Sequence, residues 1–452
     1  MRLFKQINVA VLILMATCHI SFSQNDEYQY IDFNHGQNNN VNAEWIQAIQ
    51  IIEPACRSDV KGNVTVKFEA SGMEQAKAFC WQQPSPENQK PSPENTAHWG
   101  HRVDLVPEGI TLDENGLGMF IFPADEFPAG PLNIRIFAFN KEGKRDLFEL
   151  QLYNEGGINW NRGIPAYDPP AAMANGLKLV FFDDFDGPLS ISNDGRGARY
   201  CAHKPLTGDF SGWQFTDVTS PYNPFEQRDS YLKIKARKAP GTNGSSGLIA
   251  SVNMDGEGFW TKAPCYLECR FTAQSAPGTW PAFWTLNAFD GEPGDELDII
   301  EAYGGMGKGN PTYDEGYHIV SHFWGQQNPD GTKKKDFSAK VHMTQLGGKS
   351  NWTETFHTYA VYVGLDETVY YFDDIEVLRH PTNDKSREKP IFFLANYAIG
   401  GISRWPIDLE RYGNGTDMYI DYIRVYAEKP LNYTVPPELI QKHLEADRRR
   451  SQ

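Results

Sequence analysis

The sequence predicts an all-β protein made of two successive β-sandwiches. Three observations carry this expectation. Apolar and polar residues alternate in short runs, turn residues punctuate those runs, and no helical period is sustained across a domain. The 40 glycines and 29 prolines supply the breaks, and 452 residues leave room for two domains or more. Aromatic residues make up 13% and charged residues 22%, a soluble globular balance somewhat rich in aromatics. The formal net charge of −16 argues against a nucleic-acid partner and against an anionic membrane surface. A polyanionic ligand is disfavoured more weakly, because a local basic cleft can coexist with an acidic surface.

Residues 1–23 read as a signal peptide. Arg2 and Lys5 form its basic start, Val9 to Met15 its apolar run, and Ser21-Phe22-Ser23 its small-residue exit. The run is too short to span a bilayer, and no other stretch predicts a membrane span. The expected location is therefore secreted or cell-surface, in the periplasm or outside the cell. Cys18 invites a lipid anchor, but Met15-Ala16-Thr17 is a poor lipobox and argues against one.

Residues 24–158 are expected to form the first, smaller sandwich, of immunoglobulin-like size. Its alternating segments are Val64–Phe68, Gly118–Phe122, Leu132–Ala138 and Leu147–Leu152. Pro84-Ser85-Pro86-Glu87-Asn88 recurs as Pro91-Ser92-Pro93-Glu94-Asn95, a small duplication expected in a loop. Trp81, His98 and Trp99 beside it suit either carbohydrate binding or a sandwich core. Cys56 and Cys80 flank an alternating segment and could pair, since export permits disulfides. Cys201, Cys265 and Cys269 are odd in number, so at least one is expected as a buried thiol. Residues 159–176, with Pro165, Pro169 and Pro170, read as a linker. Residues 177–427 form the second β-domain, and 428–452 a tail with a short helix over Glu438 to Arg448 and a solvated Arg448-Arg449-Arg450 end. Removing residues 24 to about 158 is expected to leave the second domain working.

The second domain is organised around Glu296-Leu297-Asp298-Ile299-Ile300-Glu301. On a regular strand Glu296 and Asp298 share one face, while Glu301 points the other way. A single bulge at Ile299-Ile300 would return Glu301 to the face of the first two. Burying three acids is costly unless they line a cleft or are hydrogen-bonded, and crowding raises the pKa of at least one. One ionised and one protonated carboxyl is the pair that glycosidic cleavage needs. The plainer alternative is an edge strand whose acids face solvent. Gly278-Thr279-Trp280-Pro281-Ala282-Phe283-Trp284 just upstream argues against it, because indole faces stack on sugar rings. One of Trp280 and Trp284 is expected in the core.

These residues resemble glycoside hydrolase family 16, whose motif E-[LI]-D-x-x-E follows W-P-A-F-W. Leu179–Gly187 is similar to that family's first strand, and Asp417–Tyr426 to its last, bracketing about 250 residues. The resemblance implies a jelly roll of the concanavalin A type. It also implies an endo-acting retaining glycosidase with Glu296 as nucleophile, Asp298 assisting and Glu301 as acid/base. The implied substrate is a β-1,3- or mixed-linkage glucan or an algal galactan such as agar, porphyran, carrageenan or furcellaran. Transglycosylation and sugar binding without cleavage are its rivals, the latter weakened by the presence of all three acids. No cofactor is required; a structural calcium held partly by Asp421 is the one metal the resemblance suggests, and a monomer is expected.

Further cleft candidates follow. Tyr317–Trp324 alternates, placing His318, Val320, His322 and Trp324 on one face, with His322 able to bond Glu301 or the sugar or to serve structure alone. Arg404-Trp405, after Gly400-Gly401, resembles a loop closing one cleft end; Asn396 and Tyr397 are weaker candidates. Asp295 stands where many relatives have Gly and is expected to alter the rim. The Lys333-Lys334-Lys335 loop could meet sulfate groups. Retaining enzymes hold their two carboxyls about 5–5.5 Å apart, whereas four to five residues of straight strand span roughly 13–17 Å. The bulge, strand curvature and two long side chains must close that gap.

Overall fold

Alternation builds the first sandwich. Asn63–Ala70 buries Val66, Phe68 and Ala70 and turns Lys67 and Glu69 outward. It lies between Ile49–Glu53 and Leu117–Pro123 in a three-stranded sheet. The facing sheet has seven strands, running Glu44–Trp45, Lys144–Asn154, Gly130–Phe139, Gln75–Gln82 and His101–Asp104, with Asp59–Val60 and Ile110–Thr111 paired off this path. The computed structural model describes residues 44–82, 101–158, 167–205, 210–287, 294–304, 316–342, 353 and 355–450. The expected signal peptide with Cys18, the Pro-Ser-Pro-Glu-Asn duplication with His98 and Trp99, and residues 159–166 of the expected linker lie outside them.

Gly130–Phe139 and Lys144–Asn154 are buried on both faces. Ile134, Ile136, Leu150 and Leu152 join the hydrophobic core, each such side chain contributing about 1.5–3 kcal/mol. The intervening polar residues are equally buried because they meet the second sandwich. Asn133 Nδ2 donates to the Thr353 carbonyl at 2.5 Å, Gln274 Nε2 to the Glu149 carbonyl at 2.8 Å, and the Ser275 amide to Glu149 Oε1 at 2.9 Å. Asn40–Gln452 accordingly form one compact unit.

The second sandwich stacks a ten-stranded sheet on an eight-stranded one. The first runs Gln214–Phe215, Ser245–Ser246, Tyr231–Arg237, Gly415–Ala427, Cys265–Ala273, His357–Val363, Glu367–Phe372 and Ile375–Pro381, with Lys178–Asp183 and Phe225–Arg228 paired off this path. The second runs Ile191–Ser192, Tyr200–Cys201, Leu248–Ala250, Phe392–Ile399, Thr279–Leu286, Asp295–Glu301, Gly316–Phe323 and Phe337–His342. Leu267, Phe271, Phe283, Ile299, Tyr317 and Phe393 are all buried in the core. The acid strand Asp295–Glu301 sits inside the eight-stranded sheet, so it is no edge strand.

Three local expectations change. Cys56 carries a free thiol, so its pairing with Cys80 is not made; Cys201, Cys265 and Cys269 are buried free thiols as well. The tail gains a packing role not expected of it: Arg448 is exposed as expected, but Leu431, Tyr433 and Val435 pack with an apolar cluster containing Trp260 and Phe392, before the helix Pro437–Arg450. Asp295 is buried away from the rim, where it accepts bonds from Gln326, Asn383 and Ser386.

Candidate active site

The register of the acid strand decides the site. Trp284 pairs with Asp298 and Phe283 with Ile300 on one side; on the other, Asp298 pairs with Val320 and Glu301 with His318. Both ladders gain one residue at Ile299-Ile300, the bulge expected from the sequence, and both isoleucines go into the core. Glu301 thereby joins Glu296 and Asp298 on the cleft face. Beyond the strand, Gly304 packs so closely that a Cβ there would collide with Thr279 Oγ1 and the Ala276 carbonyl.

Each acid has its own surroundings. Burial pushes the Glu296 carboxyl above its ordinary range, opposed by the charges of His322 and Lys204 and a hydrogen bond from Trp324. Burial also raises Asp298, and here the neighbouring Glu301, Glu296 and Asp336 push the same way, so it is held well above the usual carboxylate range. Glu301 is raised by burial against the charge of His318, a hydrogen bond from Tyr303, the charge of His322 and a bond from Trp280. Tyr303 Oη donates to Glu301 Oε1 at 3.2 Å and Trp280 Nε1 to the same oxygen at 3.1 Å. A neutral Asp298 beside two glutamates can donate a hydrogen bond, which leaves one of them the easier to ionise.

His318, Val320 and His322 line the cleft side of Gly316–Phe323, with Trp324 just beyond the strand, while Tyr317, Ile319, Ser321 and Phe323 are buried. His322 Nε2 lies 3.6 Å from Asp298 Oδ2, and its Nδ1 meets Asp336 Oδ2 at 2.8 Å. His322 thus faces Asp298, and among the described residues it is His318 that adjoins Glu301 across the ladder. Trp324 is 48% exposed and stacks on His322 at 4.5 Å. At the other end Trp405 stacks on Tyr303 at 5.2 Å with 9° between planes, and Tyr303 on Trp280 at 5.8 Å.

The two tryptophans of the upstream run do different work from that expected. Trp280 and Trp284 are only 6% and 5% exposed, so neither offers an open ring face. Their indole N–H groups fix neighbours: Trp280 holds Glu301, and Trp284 Nε1 donates to Asn396 Oδ1 at 2.8 Å. Tyr397 points into the core, donating to the Gln274 carbonyl. Arg404 is exposed. Lys334 is taken up by Asn383 and the Phe323 ring. The calcium expected at Asp421 does not fit its setting. Asp421 is fully buried and its Oδ2 lies 2.5 Å from Nη1 of the partly buried Arg270, so a divalent cation would meet a guanidinium.

Sequence reasoning did not single out Lys204, Asp336 or the support that Tyr303 gives Glu301. Tyr303 lies two residues beyond Glu301 and was visible in the motif itself. Lys204 and Asp336 are 92 and 35 residues from the nearest acid (296 − 204 and 336 − 301), and nothing local marks them.

Residues 217–424 match the model described as glycosyl hydrolases family 16. The chain is similar to the endo-1,3-1,4-beta-glycanase ExsH of Rhizobium meliloti (30% identity over 227 residues, 47% of this chain and 41% of that one). EglC of the same organism, also an endo-1,3-1,4-beta-glycanase, is 28% identical over 278 residues, 56% of this chain and 52% of that one. The beta-agarase AgaA of Microbulbifer thermotolerans is 24% identical over 298 residues, covering 57% and 65%. The chain thus spans about half the length of these curated relatives. Among solved structures, a laminarinase catalytic domain from Thermotoga petrophila RKU-1 aligns at 23% identity and TM-score 0.42, over 56% of this chain and 98% of that one. The stretch that holds the three acids thus matches glycosyl hydrolase family 16.

Proposed function

We propose that the chain is a secreted, endo-acting β-glycosidase that cleaves a β-linked polysaccharide by double displacement with retention. One observation carries the reading: the one-residue bulge at Ile299-Ile300 puts Glu301 on the face of Glu296 and Asp298, in a cleft with an aromatic at each end. In the first step Glu301 gives its proton to the glycosidic oxygen as the Glu296 carboxylate attacks the anomeric carbon. The leaving chain departs with that proton, and a glycosyl ester forms on Glu296. In the second step Glu301, now ionised, takes a proton from water, whose oxygen displaces Glu296 and restores the starting configuration. Asp298, held neutral, donates to Glu296 and steadies the charge it regains on leaving the sugar.

The favoured substrate is a β-1,3- or mixed-linkage glucan. Two relatives whose names specify 1,3-1,4-β-glycanase activity support this, as does a platform of Trp405, Tyr303 and Trp324 suited to neutral sugar rings. An algal galactan is the second reading, favoured by the agarase relative and by Lys204, whose charge acts on Glu296. The test is reducing-end release from laminarin, mixed-linkage glucan, agarose, porphyran, carrageenans and furcellaran, with Glu296→Gln as control. Cleavage absent in the variant, with the product's anomer first appearing in the β configuration by NMR, is the expected result. Tight binding without cleavage would replace this reading with that of a carbohydrate-recognition protein.

A further inference from the structure

We propose that the first sandwich is a working part of the cleft: it sets the pose of loop 400–414 and, through Trp405 and Tyr303, positions Glu301. The inference rests on the reading of Glu301 as acid/base.

The contacts form an unbroken series. Arg411 Nη1 meets Asp146 Oδ2 at 2.7 Å, and its Nη2 donates to the Leu147 carbonyl at 3.0 Å. Asp146 is anchored in turn by the backbone amides of Ala48 and Ile49. Arg57 Nη1 donates to the carbonyls of Tyr412 and Gly415, and Gln47 Nε2 to Asp408 Oδ2 at 2.7 Å. Phe148 lies flat on Tyr412, 4.5 Å away with 13° between rings. Four side chains of the first sandwich and one of its strands' carbonyls thus grip residues 408–415.

The gripped segment leads back into the cleft. The Asp408 amide donates to the Pro277 carbonyl, and Ile407 fills the space beside Gly278 and Gly400, where a Cβ would meet it. Arg404 is left-handed at φ +63°, a conformation costing a non-glycine residue about 1–2 kcal/mol and kept only where its surroundings impose it. Trp405 follows, lying on Tyr303, whose hydroxyl donates to Glu301. Without the first sandwich, Arg411 and Tyr412 would lose Asp146 and Phe148, and residues 408–415 would lose the anchors that hold the far end of the loop carrying Arg404 and Trp405. Deleting residues 24–158 should therefore impair the enzyme rather than spare it, reversing the expectation from sequence.

The test uses the full chain carrying Arg411→Met, with Arg411→Lys as the conservative control. Amide hydrogen exchange in 400–413 should rise at least about 10-fold in the Met variant. KM should rise about 10- to 100-fold on whichever polysaccharide the wild type cuts, with kcat changing less. The alkaline limb of the rate profile should move to higher pH, because Glu301 loses part of its bond from Tyr303 while Trp280, His318 and His322 still face it. Arg411→Lys should recover part of each change. If Arg411→Met does not fold, Gln47→Ala, which breaks only the half-buried link to Asp408, should show the same changes on a smaller scale. Folded variants with wild-type exchange in 400–413 and an unmoved alkaline limb would overturn the proposal. A wild type that cuts no polysaccharide would instead sink the glycosidase reading, and the exchange measurement would still decide whether the first sandwich holds the loop.

Discussion

Asp298 and Asp417 are both buried aspartates on strands of the same sandwich, and their surroundings drive them in opposite directions. Burial pushes each one up. Around Asp417, however, Arg237, Lys233 and Arg57 outweigh burial and hold the carboxyl below its usual range. Around Asp298 the second, third and fourth influences are Glu301, Glu296 and Asp336, all of one sign with burial. Asp417, with Arg237 at 2.5 Å and Lys233 at 3.4 Å, stays ionised and contributes to the fold. Asp298 is pushed toward its neutral form. Burial alone therefore does not decide the charge of a buried acid; the sign of the nearest charges does.

The largest effect that would sharpen this contrast is at the proposed nucleophile. Glu296→Gln should lower kcat at least about 10⁴-fold, the scale seen when a covalent nucleophile is removed, with the melting temperature unchanged. A variant turning over at the wild-type rate would remove Glu296 from the role. Glu301→Ala should cost about 10²–10⁴-fold on substrates with poor leaving groups. Azide should restore part of the rate on an activated substrate, yielding the β-glycosyl azide; absence of that product would count against Glu301.

The contrast itself is tested by paired amide substitutions. Asp298→Ala should lose about 10²-fold in kcat, as for a removed hydrogen-bond donor, whereas Asp298→Asn, which keeps a donor, should retain most of the rate. Equal losses would mean that Asp298 works as an anion. Asp417→Asn should spare kcat but lower stability by about 3 kcal/mol, because it strands the cations around it. The pH dependence of stability should separate the two. Asp417, with its depressed folded pKa, stabilises above its unfolded value near 3.9 and loses that contribution as pH falls through the folded pKa. Asp298, with its raised folded pKa, favours the fold most below that unfolded value and progressively less as pH rises. Thermal melts of Asp298→Asn should therefore gain on wild type with rising pH, and those of Asp417→Asn should lose least at low pH.

The smallest expected effect concerns His318. Its positive charge, when protonated, opposes the rise in the Glu301 pKa. His318→Ala should move the alkaline limb of kcat/KM to higher pH with little change at the optimum. A limb that moves down, or not at all, would mean that another group governs it.

Much of the site was legible before the structure. The three acids, their spacing and the need for a bulge at Ile299-Ile300 follow from the period of a strand, which extends over only a few residues. The alternation of Tyr317–Trp324 likewise placed His318, His322 and Trp324 together. Trp280 and Trp284 were harder to read, since an aromatic in a cleft strand looks the same in sequence whether it offers its ring face or its N–H.

By itself the sequence determined the all-β class, the identity and faces of the acids, and the division into two sandwich-forming stretches, because each depends on local alternation and turn chemistry. Only the tertiary structure decided which charges surround each buried acid and which elements touch. Gln47 meets Asp408 across 361 residues, and Asp146 meets Arg411 across 265. Such contacts depend on sheet order and on how one sandwich packs against the other, and no local pattern carries that information.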